Sequence, residues 1–323
     1  MIARFHARAI ENCDGAVLAA ACSKSYKSAE KFCAEEGAEA FENYAALLQC
    51  PDIDAVAICT PSGEHYSQIK AALQAGKHVL VEKPMCIRAS EAEEVIALAR
   101  DKGLVLCAVA QLRFSDNLRE LKRAVSEGHL GRIYSAALTM RYYRTQAYYD
   151  QAGWRGTWAM DGGGVLMNQG IHGVDMLCCL LGEVEEIKGF ADTLGRNIEV
   201  EDTAVAALRF RSGALGVIDA STCCAPGFPL RLVISGEKGS IALEGDSIVT
   251  WTIDEPCRIE KKKTEGKTSA NDPKAIDYIN HARLYTDFVR VVREGGELVC
   301  SGEQGKLPLD VVLGIYEDGL VCR

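Results

Sequence analysis

The chain has 323 residues, more than one hydrophobic core normally holds, so two domains are expected. Its residues are 48% hydrophobic and 25% charged, the balance of an ordinary globular protein, which excludes long disordered tracts. A net charge of -9 excludes the clustered Lys/Arg field of a nucleic-acid-binding surface, and no apolar stretch is long and uncharged enough to cross a bilayer, so neither nucleic acid nor membrane is expected as a partner.

The opening decapeptide, MIARFHARAI, reads as a helix with no strand or glycine-rich turn ahead of it. From residue 16 to about 127, short β-branched apolar runs alternate with helical patterns, which marks a parallel sheet wound with helices. Strands are predicted at 16–22, 54–59, 78–83 and 105–110, and helices at 26–36, 43–49, 64–75 and 90–102. Ser25 enters the first of these helices, and Ser90 enters the last, with Glu93 completing a capping box. The class is α/β, a Rossmann-type sheet without its first strand. That strand delivers the glycines that approach a pyrophosphate, so either the true start lies about ten residues upstream, one strand plus a turn, or the protein is a genuine truncation, with the first expected.

Beyond about residue 128 the runs lengthen and alternate: 132–143, 185–193, 203–211, 215–222, 230–236 and 248–254. Turn signals at Ser212-Gly213 and Glu237-Lys238-Gly239 separate them, pointing to an open, mostly antiparallel sheet. Helices at about 163–181, 274–294 and 303–318 make this part α+β. The boundaries expected are 1–112 for the dinucleotide domain and 113–323 for a substrate-binding and oligomerisation domain.

Fourteen cysteines are scattered with no CxxC pair and no signal peptide before them, so a reduced, cytoplasmic protein is expected. Cys59 and Cys107 fall in apolar runs, where a thiol packs as a small hydrophobe. The pairs Cys178/Cys179 and Cys223/Cys224 lack the spacing that converges ligands on one ion, and no metal is expected. Lys261, Lys262 and Lys263, between Glu260 and Glu265, read as a solvated loop or edge strand.

Three places carry chemistry. Glu82-Lys83-Pro84 ends the strand HVLV, and ligands bind off the carboxyl ends of such strands, although a lysine there is also a common surface charge. Loops with Thr60, Pro61 and His65, and with Gln111, follow parallel strands and share that rim; Thr60 or Ser62 serves equally as a helix N-cap. The third is the helix after Gly162-Gly163-Gly164, where Asn168, His172, Asp175 and Cys179 fall along one face. That stripe either lines a cavity or is a satisfied core histidine with Asp175 as its partner. After the strand at 16–22, where an NAD-selective fold places a carboxylate, stand Ser23 and Lys24, which admit the 2′-phosphate of NADP as well as NAD.

TPSGEH, AGKHVLVEKP, GWRGTWAMDGGGVLMNQGIHGVD, IEVEDTA, SGEKGSIALEG and IYEDG together resemble the glucose–fructose oxidoreductase/inositol dehydrogenase (Gfo/Idh/MocA) family, in family order over nearly the whole chain. The resemblance implies an NAD(P)-dependent oxidoreductase acting on a hydroxyl of a sugar, sugar-nucleotide or cyclitol. Lys83 would contact the substrate hydroxyl and nicotinamide ribose, His172 would be the general base, and Asn168 stands where the cyclitol enzymes often have aspartate. Ile2 and Ala3 resemble the tail of the family's glycine turn, and Glu82 belongs to its EKP motif. Substrate contacts are expected from Arg141, Tyr142, Trp154, Arg155, Asn168 and the more distant His281, whose rings and guanidinium forks suit a polyol or an anionic sugar. The family also contains NAD-dependent glycosidases and non-catalytic ligand sensors, and its members commonly form homodimers or homotetramers.

Overall fold

The computed structural model describes residues 2–259 and 278–319; the lysine run at 261–263 and the start of the helix expected at 274–294 lie outside them. The chain divides into two compact units, one of Met1–Cys86, Ser90–Gln111 and Asp277–Gly305, the other of Ile87–Ala89, Leu112–Ile276 and Lys306–Arg323. The first unit thus reclaims a segment from beyond residue 270, which a single boundary near 112 does not anticipate.

In the first unit, α1 (Ile2–Glu11) turns His6, Ala7 and Ala9 inward and leaves Arg4 and Arg8 exposed, as its periodicity requires. Strand β1 (Ala20–Cys22) leads into α2 (Tyr26–Glu36), which ends at Gly37 in the left-handed conformation that glycine adopts without penalty. Ser25 occupies the N-cap position of α2, but its side chain makes no capping bond. Strand β2 (Glu39–Phe41), too short to show a period, pairs in parallel with β1. Then come α3 (Tyr44–Gln49), capped by Asn43, β3 (Ala55–Ile58), α4 (His65–Gln74), β4 (His78–Val81), α5 (Ala89–Asp101) and β5 (Leu106–Ala108). Helix α5 starts one residue before Ser90, so Ser90 lies inside the helix and not at the expected cap.

Strands β3, β4 and β5 form a parallel sheet in that order, separate from the β1–β2 pair. Helix α9 (Ile279–Glu294) packs against α1, burying Leu284, Tyr285 and Phe288.

The second unit begins with α6 (Asp116–Ser126), whose N-cap Ser115 accepts from Leu118 N at 3.2 Å. Its sheet contains β6 (Ile133–Arg141), β7 (Val184–Asp192), β8 (Thr203–Phe210), β9 (Leu215–Ser221), β10 (Arg231–Gly236), β11 (Gly239–Glu244) and β12 (Ser247–Trp251). The order is β12-β11-β10-β6-β9-β8-β7, antiparallel except for the β6–β9 pair. Helix α7 (Gln146–Asp150) follows β6, and a π-helical turn, Val165–Gly170, runs into α8 (Ile171–Leu181). Gly173 of α8 lets the helix approach Leu138 of β6; a Cβ there would lie 2.8 Å from the leucine Cδ1. The opposite face of the sheet exposes Val205, Leu215 and Val217. Helix α10 (Gly302–Gly319) closes the described chain, with its residues from Lys306 onward in this unit.

Candidate active site

The carboxyl ends of β3, β4 and β5 carry the cofactor candidates. Glu82, directly after β4, is buried; its Oε1 accepts from His6 Nε2 at 3.0 Å and its Oε2 from the Lys83 amide at 3.1 Å. His281 Nε2 stands 3.8 Å from the same Oε1. Burial alone would raise the Glu82 carboxyl, but the His281 and His6 imidazoles and the Lys83 ammonium outweigh it and hold the group well below the usual carboxylate range. Glu82 is therefore an internal anion that fixes the backbone on which half-buried Lys83 sits, ahead of a cis proline.

Two of the expected site residues are deeply buried. His281 is 1% exposed in the core of the first unit beside Glu82 and His6. His65 is also 1% exposed, with Nδ1 2.7 Å from the Pro84 carbonyl and Nε2 2.9 Å from the Thr60 carbonyl. It lies between the loop after β3 and the loop after β4, bridging them through one N–H.

The remaining rim candidates differ in exposure. Ile2 and Ala3 are half-buried at the start of α1, Pro61 is half-buried, Thr60 is exposed, and Ser23 and Lys24 are exposed after β1, with Lys24 ion-paired to Glu64. Gln111 is buried with its Oε1 lacking any hydrogen-bond partner, an acceptor in want of a donor. A hollow of about 510 Å³ lined by Ile96, Val105 and Glu303 opens at the amino end of β5, the wrong end of a parallel sheet for a dinucleotide.

In the second unit, every residue from Asp161 to Cys178 is buried except Asn168 and His172. Asn168 Nδ2 donates to Asp161 Oδ1 at 2.8 Å, and Asp161 Oδ2 accepts from the Gly156 amide at 2.8 Å, so one buried carboxylate orients the asparagine and anchors the GWRGTW loop. In that loop the Arg155 guanidinium stacks over Tyr148, 4.4 Å from the ring centroid, and over Trp154, 4.7 Å away. Arg155 Nη1 donates to the Tyr148 hydroxyl at 2.6 Å, which also lies 3.4 Å from Gln169 Nε2, next to Asn168 in the chain. The structure thus connects Trp154 and Arg155 to the turn carrying Asn168.

Asp175 does not serve His172. It is buried and accepts from Arg113, at 2.7 Å from Nη2 and at 3.0 and 3.1 Å from Nε. Arg141 is exposed on the sheet face opposite α8 and ion-pairs with Asp219. Tyr142 is buried under the Arg144 guanidinium, 5.4 Å from its ring centroid.

Sequence reasoning missed Asp161, Glu201, Tyr148 and Arg113. Asp161 had a signal, its place directly before three glycines. Glu201 and Asp202, within the IEVEDTA motif, are 1% and 0% exposed.

Residues 1–111 match the family model described as "Oxidoreductase family, NAD-binding Rossmann fold", and residues 118–242 match the GFO/IDH/MocA C-terminal domain. The chain is 29% identical over 319 residues to myo-inositol 2-dehydrogenase of Thermotoga maritima, covering 95% of this chain and 90% of that protein. It is also similar to the solved structures of WlbA dehydrogenase in complex with NADH and UDP-GlcNAcA. The Bordetella pertussis protein shares 33% identity at a TM-score of 0.87, covering 98% of this chain and 93% of that one. The Chromobacterium violaceum protein shares 34% at 0.88, covering 98% and 90%. With both halves matched in order on the fold described above, the chain belongs to the GFO/IDH/MocA family of oxidoreductases.

Proposed function

We infer that this protein is an NAD(P)-dependent dehydrogenase that oxidises, or in reverse forms, a secondary hydroxyl of a sugar, with a nucleotide-linked sugar acid as the first substrate class to test. The observation that carries the reading is that Asn168 and His172 alone reach the surface along an otherwise buried stretch from Asp161 to Cys178.

The nicotinamide, when bound, supplies the hydride acceptor or donor. His172 takes the hydroxyl proton during oxidation, a general-base task that an imidazole can perform. Asn168, held by Asp161, hydrogen-bonds a substrate hydroxyl; an amide cannot share a proton as a carboxylate can. Lys83 is assigned the ammonium that stabilises the developing alkoxide, an interaction that strengthens in the transition state. Arg155, held against Tyr148 and Trp154, offers a guanidinium to a carboxylate or phosphate. The two relatives bound to UDP-GlcNAcA support that substrate class.

The test is reduction of NAD and NADP by a panel of UDP-linked uronates, simple sugars and inositols. In the best case found, His172→Ala should lower kcat at least about 100-fold while NAD(P)H affinity, read by fluorescence titration, stays within about twofold. A near-normal rate in that variant would remove His172 as the base.

A further inference from the structure

We propose that Glu201 is a positioning residue: from the far side of the second unit's chain it clamps the glycine turn and thereby places the π-helical turn that carries Asn168 and leads into His172. This rests on the functional reading above, since it gives Glu201 a task in turnover only if those two side chains handle substrate.

The clamp uses three successive amides. Glu201 Oε2 accepts from Gly164 N at 2.7 Å, its backbone carbonyl from Val165 N at 2.9 Å, and its Oε1 from Leu166 N at 2.9 Å. These are the orphan donors that any helical segment leaves at its start, here satisfied by one residue more than thirty positions away. Tyr316 of α10 completes the set, its hydroxyl donating to Oε1 at 2.7 Å.

The glycines are explained by the same contact. A Cβ on Gly164 would lie 1.7 Å from the Glu201 carbonyl oxygen, and one on Gly163 would lie 2.3 Å from the Tyr316 hydroxyl. Gly162 has φ +77. The close approach leaves no room for side chains, and the π-helical turn that follows is a rare form found most often at functional sites.

The carboxyl faces hydrogen-bond donors: the amides of Gly164, Leu166 and Glu201 itself, and the Tyr316 hydroxyl. The adjacent Asp202 is turned away, toward the amides of Leu194, Gly195 and Arg196. An ionised carboxylate accepts all of these bonds, whereas a protonated one turns a hydroxyl toward a donor. Burial pushes the Glu201 carboxyl up to about 7, against the hydrogen bonds from Leu166, Tyr316 and Gly164, so the clamp is complete on the alkaline side of neutrality.

The experiment compares the full-length protein with Glu201→Gln and Tyr316→Phe. Glu201→Gln keeps the shape but sets an amide NH2 against a donor. We expect kcat to fall about 10- to 100-fold for Glu201→Gln and less for Tyr316→Phe, with KM for NAD(P) unchanged. Amide exchange at Gly164–Leu166 should quicken at least about tenfold while β8 stays protected. Exchange and kcat both within about twofold of wild type would overturn the proposal. If Glu201→Gln does not fold, Tyr316→Phe is judged by the same two readouts. If the wild type oxidises none of the panel, the functional reading fails alone, and the exchange measurement still decides the clamp.

Discussion

Lys24 projects from the end of β1 and ion-pairs with Glu64, with exposed Ser23 beside it. A 2′-phosphate would compete with Glu64 for that ammonium, since a doubly charged phosphate offers more acceptors than one carboxylate. Lys24→Ala is therefore expected to raise KM for NADP about tenfold, roughly 1.4 kcal/mol, and to leave KM for NAD unchanged. Equal effects on both cofactors would show that Lys24 does not read the phosphate. At this scale the residue types were legible and their partners were not. Asn168 stood out as a departure from the aspartate of related cyclitol enzymes, but the carboxylate that orients it, Asp161, lies seven residues earlier and became visible only through the 2.8 Å bond between them.

The helix after the glycine triplet shows the same division for an element. Its apolar period located it correctly, and the stripe of Asn168, His172, Asp175 and Cys179 suggested a single polar face. The described helix splits that stripe. Asn168 sits in the π-helical turn, and Asp175 is buried against Arg113, from the segment just before α6. Two desolvated charges hold each other there, so removing one leaves the other uncompensated. Asp175→Asn should cost about 3–5 kcal/mol of unfolding free energy, measured in urea. A cost under about 1 kcal/mol would mean that Arg113 finds another acceptor or water. The expected capping bonds were not made: Ser25 stands at the N-cap of α2 without a side-chain bond, and Ser90 lies inside its helix because α5 begins at Ala89.

For the whole molecule, Glu201 links function to stability. Its folded carboxyl titrates at about 7 against an ordinary value of 4.5, because burial disfavours the charge. Between these values the folded state keeps a proton that the unfolded chain has released. The contribution is therefore full below about 4.5 and is lost as pH rises toward about 7. Glu201→Gln cannot titrate, so the stability of wild type relative to this variant should decline by a few kcal/mol, on the order of the shift, between pH 5 and 8. Urea melts at the two pH values check this, and a difference that grows with pH would contradict it. The ionised form needed to hold the glycine turn is thus the costlier one to bury.

Periodicity and short motifs were enough to identify a parallel, helix-wound first half, an antiparallel second half and the family to which both belong, because those features repeat within a few residues of one another. They could not show that α9 packs in the first unit, that His281 serves Glu82, or that Glu201 grips Leu166 across 35 positions. Such pairings join residues far apart in the chain and leave no local trace. Packing alone decides which polar groups lose water together and which remain to meet a ligand.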